Sequence, residues 1–424
     1  MKNNEINKQL TEYMNKYTDL WAFSGSIVAV KNGEIIFEQG FGYANVEHKV
    51  PNTPETKFRI YSISKQFTAV AILLLEERGL LKVEDCVRKY FPDWTELDER
   101  ITIHQMLIHT SGLANFTGDN EFEKKLKYNV NTKRSDIINL INAKELDFEP
   151  GSDWAYCNTG YFVLELLIEK LSNMSFSEFM EENIFQPLAM KDSGVYNDFH
   201  LIENKASGYY LNNYEIIPCE YVNMSMVFGC GGLYSTVLDM LKWDMALKSD
   251  KLLSKKSIDK MNTDYQSNYG YGVEVNVVDG KQVVSHDGGY SGFLTKIDRH
   301  LDDDFVIVVL SNYGFTNVWR LCSDLAKIAL EKEYEMPSKP AEFTLSPELL
   351  ESYLGFYAED AEDDNPFEIV QTADGLNFVI NGRFNFPIYP ISEDTFHQKW
   401  IDERYQVNRD EDGSLSIWGC KKRT

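Results

Sequence analysis

The chain has 424 residues, with 66 Asp and Glu against 42 Lys and Arg and a formal net charge of -24. So acidic a balance repels phosphate backbones and anionic lipid headgroups, and no Lys- or Arg-rich run offsets it, which excludes nucleic acid and membrane surfaces as expected partners. Hydrophobic residues at 43% and charged residues at 25% supply sizeable cores and exclude a disordered chain, so a globular protein of two or three domains is expected.

The amino terminus, Met1-Lys2-Asn3-Asn4-Glu5-Ile6-Asn7-Lys8, lacks the apolar core of a signal peptide, and no run approaches the roughly 18 apolar residues of a membrane span. Cys86, Cys157, Cys219, Cys230, Cys322 and Cys420 form no C-x-x-C pair and fit reduced thiols. A cytoplasmic location is expected on these grounds.

From Ser26 to Phe41 the sequence alternates around Asn32-Gly33, a dipeptide suited to a type I′ turn, and predicts a hairpin. Periodicity and punctuation then predict helices at 63–79, 103–109, 158–172, 175–184 and 235–248, the bulk of a helical insert over about 80–262. Strand patterns return at 272–278, 281–286, 292–300 and 305–311, the first two joined by Asp279-Gly280, and a helix follows at 316–330. One antiparallel sheet that pairs the early hairpin with the later strands, its face covered by the first and last helices, buries both β blocks most simply. The charged, Pro-containing run 331–346 reads as a linker between a domain at 1–330 and a small β domain at 347–424.

Three segments carry chemistry-bearing residues. Ser62-Ile63-Ser64-Lys65 opens an apolar helical run, and an S-x-x-K spacing puts the lysine one turn from the serine on the same face. A serine needs a nearby base to become a nucleophile, and a helix start favours the developing alkoxide. Tyr156-Cys157-Asn158 sits just before a predicted helix, where an extended stretch would point the phenol and the amide the same way. Ser285-His286-Asp287-Gly288-Gly289 ends a strand, and paired glycines there let a ligand approach the backbone closely.

In their order and spacing, these segments resemble the serine β-lactamase and penicillin-binding protein superfamily, specifically its class C-like branch, which also holds D-aminopeptidases and esterases. Leu107-Ile108-His109-Thr110-Ser111-Gly112-Leu113 and Gly231-Gly232-Leu233-Tyr234-Ser235-Thr236 add to the resemblance, which covers about residues 20–330. It implies an α/β fold of α+β type: an antiparallel sheet flanked by helices, an inserted helical subdomain, and a carboxy-terminal barrel-like domain like those appended to some relatives. It implies Ser62 as the acylated nucleophile, Lys65 as its proton acceptor or electrostatic partner, and Tyr156 as a general base or acid. Asn158, His286, Gly288 and Gly289 would bind substrate, with the Ser62 and Gly289 N–H groups forming the oxyanion hole. His286 stands where many β-lactamases carry a lysine, so weaker attraction for a substrate carboxylate is expected.

Other chemistries fit less well. No G-x-S-x-G is present, and His104 and His109 lack an H-E-x-x-H or a cysteine cluster, so no metal or cofactor is expected and helix packing accounts for both histidines. Cys157 and Cys230 read as buried small hydrophobes near the site. The expected activity is acyl-enzyme hydrolysis of an amide or ester in a small-molecule or peptide substrate: a D-amino-acid amide or peptide, a short ester, or a β-lactam. The alternative is a non-catalytic protein that keeps the fold and binds a D-peptide or acyl ligand. The sequence carries no signature of oligomeric state.

Overall fold

Asn32 and Gly33 have φ of 51° and 73°, and Asp279 and Gly280 have 53° and 76°, the positive values that a type I′ turn demands. The computed structural model describes residues 2–359, 366–373, 375–382, 384–409 and 413–423. Both hairpins belong to one six-stranded antiparallel sheet, in the spatial order 274–278, 281–290, 293–300, 305–311, 25–31 and 34–41. The early hairpin therefore joins the later strands, with Ile27 opposite Val309. Phe305–Ser311 is buried at every position, as the apolar run from Phe305 to Leu310 requires of a strand covered on both faces.

Helix Ser64–Glu77 is buried from Ser64 to Leu75. A helix apolar on all sides has to lie inside, and this one packs on Asn158–Ser172 and on the short helix Phe228–Gly231. Val237–Leu247, capped by Thr236, lies against strands 25–31 and 305–311, and its Trp243 ring stacks on Phe67 at 3.9 Å. These helices and the sheet share one large apolar core.

The predicted helix at 158–172 occurs with those bounds. The one expected at 63–79 begins instead as a 3₁₀ turn, Tyr61–Ile63, before Ser64–Glu77. Ile103–Leu107 is held by a Thr102/Gln105 capping box, and Phe176–Met180 by one between Ser175 and Glu178. Helix Lys2–Leu20 lies outside the predicted elements, although Ile6, Leu10, Tyr13, Met14 and Tyr17 recur at helical spacing and are all buried. No helix among the described residues is long and apolar enough to cross a membrane.

The carboxy-terminal strands form a nine-stranded antiparallel sheet with its own core, including Tyr357, Phe367, Phe378 and Ile417. Its two outermost strands, 404–406 and 408–409, are separated in sequence by Val407 alone, which bends the sheet into a nearly closed barrel. The chain divides into two compact units: Met1–Phe23, Gly208–Cys219 and Tyr313–Thr424 in one, Ser24–Ser207 and Glu220–Asn312 in the other. Residues 331–346 and helix Val318–Ala329 lie inside the first unit. There the buried Tyr13 hydroxyl donates to Asp324 at 2.8 Å, and Arg320 pairs with Asp402 at 3.1 Å. The six-stranded sheet and all three chemistry-bearing segments lie in the second unit.

Candidate active site

Ser62 lies in the 3₁₀ turn that leads into helix Ser64–Glu77. The residue before it, Tyr61, has φ of 43°, an uncommon conformation for a bulky side chain and a local strain at the turn. One helical turn on, Lys65 is fully buried, with Nζ 3.1 Å from Ser62 Oγ. The same nitrogen donates to Asn158 Oδ1 at 2.7 Å and to the Cys230 carbonyl at 2.8 Å. All three partners are neutral, so burial outweighs everything else and lowers the Lys65 pKa to about 8.

This geometry suits the neutral amine. Two carbonyl oxygens hold its two N–H groups, which leaves the lone pair for the Ser62 hydroxyl proton.

Asn158 starts helix Asn158–Ser172 and is fixed at both ends of its amide. Its Oδ1 accepts from Lys65, and its Nδ2 donates to Thr117 Oγ1 at 2.8 Å. The Cys230 carbonyl is set by the chain beside it: Gly229 N–H donates to the buried Glu165 at 2.8 Å, and Thr68 Oγ1 donates to the Gly229 carbonyl at 2.6 Å. Burial raises the Glu165 pKa to about 7, against the pull of Arg134.

Tyr156 presents its ring to Lys65, whose Nζ is 4.6 Å from the ring centroid. Burial holds its phenol pKa well above 10, although the neighbouring Ser62 hydroxyl pulls it down. The Tyr156 oxygen nevertheless has no partner at hydrogen-bonding geometry among the described residues. Ser62, Lys65, Tyr156 and Asn158 are thus brought together.

The strand-end segment is divided. Gly288 abuts the serine turn, since a Cβ built on it would fall 2.1 Å from the Ile60 carbonyl oxygen and 2.9 Å from the Ser62 nitrogen. Gly289 lines the cleft in front of Ser62. His286, like Lys65 and Tyr156, lies behind the cleft wall: the imidazole is buried, with Nε2 2.8 Å from the Tyr269 hydroxyl and Nδ1 against the Asp287 carbonyl oxygen. Nδ1 is therefore the protonated nitrogen and Nε2 accepts from Tyr269. Burial and the nearby Lys65 lower the His286 pKa to about 4, which keeps it neutral.

The cleft has a volume of about 120 Å³. Its walls include Phe122, Val222, Met224 and Val227, with Thr117 and Tyr290 at the polar side and, among the described residues, no charged side chain. Sequence reasoning missed these wall residues, because loops of mixed composition carry no periodic signal. A larger cavity of about 530 Å³, between Arg88, Trp94 and Lys144, includes none of the predicted site residues. The Cys157 and Cys230 thiols are buried with raised pKa values, the latter to about 12, and so stay protonated. Among the described residues, no cluster of His, Cys, Asp and Glu is arranged to hold a metal ion.

The sequence profile of the Beta-lactamase family matches residues 10–329. Penicillin-binding protein 4* of Bacillus subtilis is 29% identical to this chain over 93% of it and 92% of the relative. A penicillin-binding protein homologue from Pyrococcus abyssi, an octamer, superposes with a TM-score of 0.68 at 24% identity over 98% of this chain and 99% of its own. D-amino acid amidase from Ochrobactrum anthropi, solved with L-phenylalanine amide, superposes with a TM-score of 0.67 at 21% identity over 77% of this chain and 98% of its own. With the serine, lysine, tyrosine and asparagine gathered at one cleft, the match over most of the chain establishes that it belongs to the Beta-lactamase family, within the serine β-lactamase and penicillin-binding protein superfamily.

Proposed function

We propose that the protein is a serine hydrolase that works through an acyl-enzyme on an amide or ester. The observation that carries this reading is the buried Lys65 amine, with a pKa lowered to about 8, 3.1 Å from Ser62 Oγ. A purely structural lysine would gain nothing from that burial without a carboxylate partner.

In the proposed cycle, Lys65 accepts the Ser62 proton as Oγ bonds to the substrate carbonyl carbon. The Ser62 and Gly289 N–H groups receive the negative charge of the tetrahedral intermediate, where loss of one such donor typically costs about 3 kcal/mol. Tyr156 and Lys65 together return a proton to the departing amine or alcohol. Water then attacks the acyl-enzyme, the same pair removes its proton, and Ser62 is regenerated.

The uncharged, largely apolar cleft supports an acyl group without a carboxylate: a short ester or the amide of an apolar D-amino acid ahead of a carboxylate-bearing β-lactam. The D-amino acid amidase shares the fold and is consistent with this ordering. The test is a comparison of kcat/KM for p-nitrophenyl acetate, D-phenylalanine amide, L-phenylalanine amide and nitrocefin. Higher values for the ester or the D-amide support the reading, whereas nitrocefin as the best of the four would refute the substrate assignment.

A further inference from the structure

Two buried polar atoms near Lys65 lack a hydrogen-bond partner among the described residues: the Tyr156 hydroxyl oxygen and His109 Nε2. Their rings are close neighbours, with centroids 4.4 Å apart. His109 is also tied to the chain on both sides of Tyr156. The Ala155 N–H donates to the His109 carbonyl at 3.1 Å, and the Cys157 N–H donates to His109 Nδ1 at 3.0 Å.

This grip is held at a cost. His109 has φ of 64°, in the left-handed region that a bulky residue rarely occupies, and its ring is enclosed by Tyr156, Tyr161 and Tyr269. Because Nδ1 accepts the Cys157 N–H, a neutral ring carries its proton on Nε2, the nitrogen without a partner. Packing alone explains neither the strained backbone nor the buried polar atom, since an apolar side chain of similar size would avoid the second.

We infer that His109 is a positioning residue for Tyr156, fixing the backbone at 155 and 157 and the phenol ring so that the hydroxyl stays at Ser62 and Lys65. The inference rests on the proposed role of Tyr156 in proton transfer. It predicts that His109 acts through Tyr156 and not independently of it.

The experiment measures kcat and KM for p-nitrophenyl acetate in the wild type, His109→Leu, His109→Asn, His109→Gln, Tyr156→Phe and the Tyr156→Phe/His109→Leu double variant. Each is normalised to active sites titrated with a fluorophosphonate. His109→Leu is expected to lower kcat about 10-fold or more, a part of the roughly 10²–10⁴-fold that a general acid–base group contributes, with KM changed by less than about 3-fold. Asn can place Oδ1 where Nδ1 accepts the Cys157 N–H and should recover most of the lost rate. Gln places its amide nearer the Nε2 position and should not, so this pair decides the matter if His109→Leu fails to fold. In the Tyr156→Phe background, the His109 substitution should cost less than about 2-fold more. Unchanged kcat in His109→Leu, equal behaviour of Asn and Gln, or losses that multiply in the double variant would overturn the inference while the hydrolase reading stands. A wild type that neither turns over nor labels would overturn both.

Discussion

Gly288 presses its Cα against the backbone of Ser62, so that a Cβ there would lie 2.9 Å from the Ser62 nitrogen and 2.1 Å from the Ile60 carbonyl oxygen. The strand end and the serine turn are therefore set by direct backbone contact. Thr295 reinforces it, because its hydroxyl lies 2.9 Å from the Gly288 carbonyl oxygen and 3.2 Å from that of Ile60.

Gly288→Ala should therefore push the turn and the strand apart and impair the backbone donors on both. Turnover is expected to fall by about two orders of magnitude, in the range of removing an oxyanion donor. The thermal midpoint should fall as well, since backbone atoms cannot give way as a side chain would. Stopped-flow acylation of the purified variant checks this, and a rate equal to that of wild type would show that the contact does not set the site.

Lys65 and Tyr156 are expected to act as one proton-transfer unit, because neither an isolated ammonium nor a phenol with a raised pKa is a competent base at neutral pH. Lys65→Met and Tyr156→Phe should each remove most of the turnover, and the double variant little more than the worse single one. Multiplied losses would indicate separate roles.

The buried Lys65 also predicts a pH dependence of stability. Its pKa in the folded protein is about 8 against the ordinary 10.5, so between these values the unfolded chain binds a proton that the folded one does not. Stability of the wild type relative to Lys65→Met should rise with pH through that window, by on the order of 3 kcal/mol at most, and be level below about pH 8. Urea denaturation of both proteins across that window and about one pH unit below it measures the difference. A difference that stays flat throughout would mean that burial does not lower the Lys65 pKa.

His286→Lys is the substitution that the sequence alone suggests for attracting a carboxylate. The position is buried, accepts the Tyr269 hydroxyl and lies near Lys65, so an ammonium there would meet a second cation and leave Tyr269 without its acceptor. The variant is expected to lose ester turnover and thermal stability and to gain no nitrocefin turnover. A gain in kcat/KM for nitrocefin would place this side chain at the substrate after all.

Much of the fold is legible in local signals. Asn32-Gly33 and Asp279-Gly280 mark their turns, the apolar run 305–311 marks a central strand, and the periodicity of 158–172 gives that helix without error. The serine, lysine, tyrosine and asparagine are legible only as a set: each segment alone fits a helix cap or core packing, and it is their order and spacing that resemble the family. The direction of His286 is not legible locally, because it depends on a contact to Tyr269, 17 residues earlier. The role of the Cys230 carbonyl is hidden for a different reason: a backbone atom leaves no signature in a sequence. His109 reads as helix packing, and its contacts to residues 155 and 157 depend on a strained backbone that no local pattern announces.

The central claim is that Ser62 becomes acylated. Ser64, two residues on, is a natural control: its buried hydroxyl accepts the Leu233 N–H at 3.1 Å and faces away from that chemistry. Intact-mass and peptide mapping after exposure to a fluorophosphonate tests the claim most directly. One adduct per chain on Ser62 is predicted for the wild type and for Ser64→Ala, with none for Ser62→Ala. An adduct that maps to another residue, or that persists in Ser62→Ala, would contradict the account.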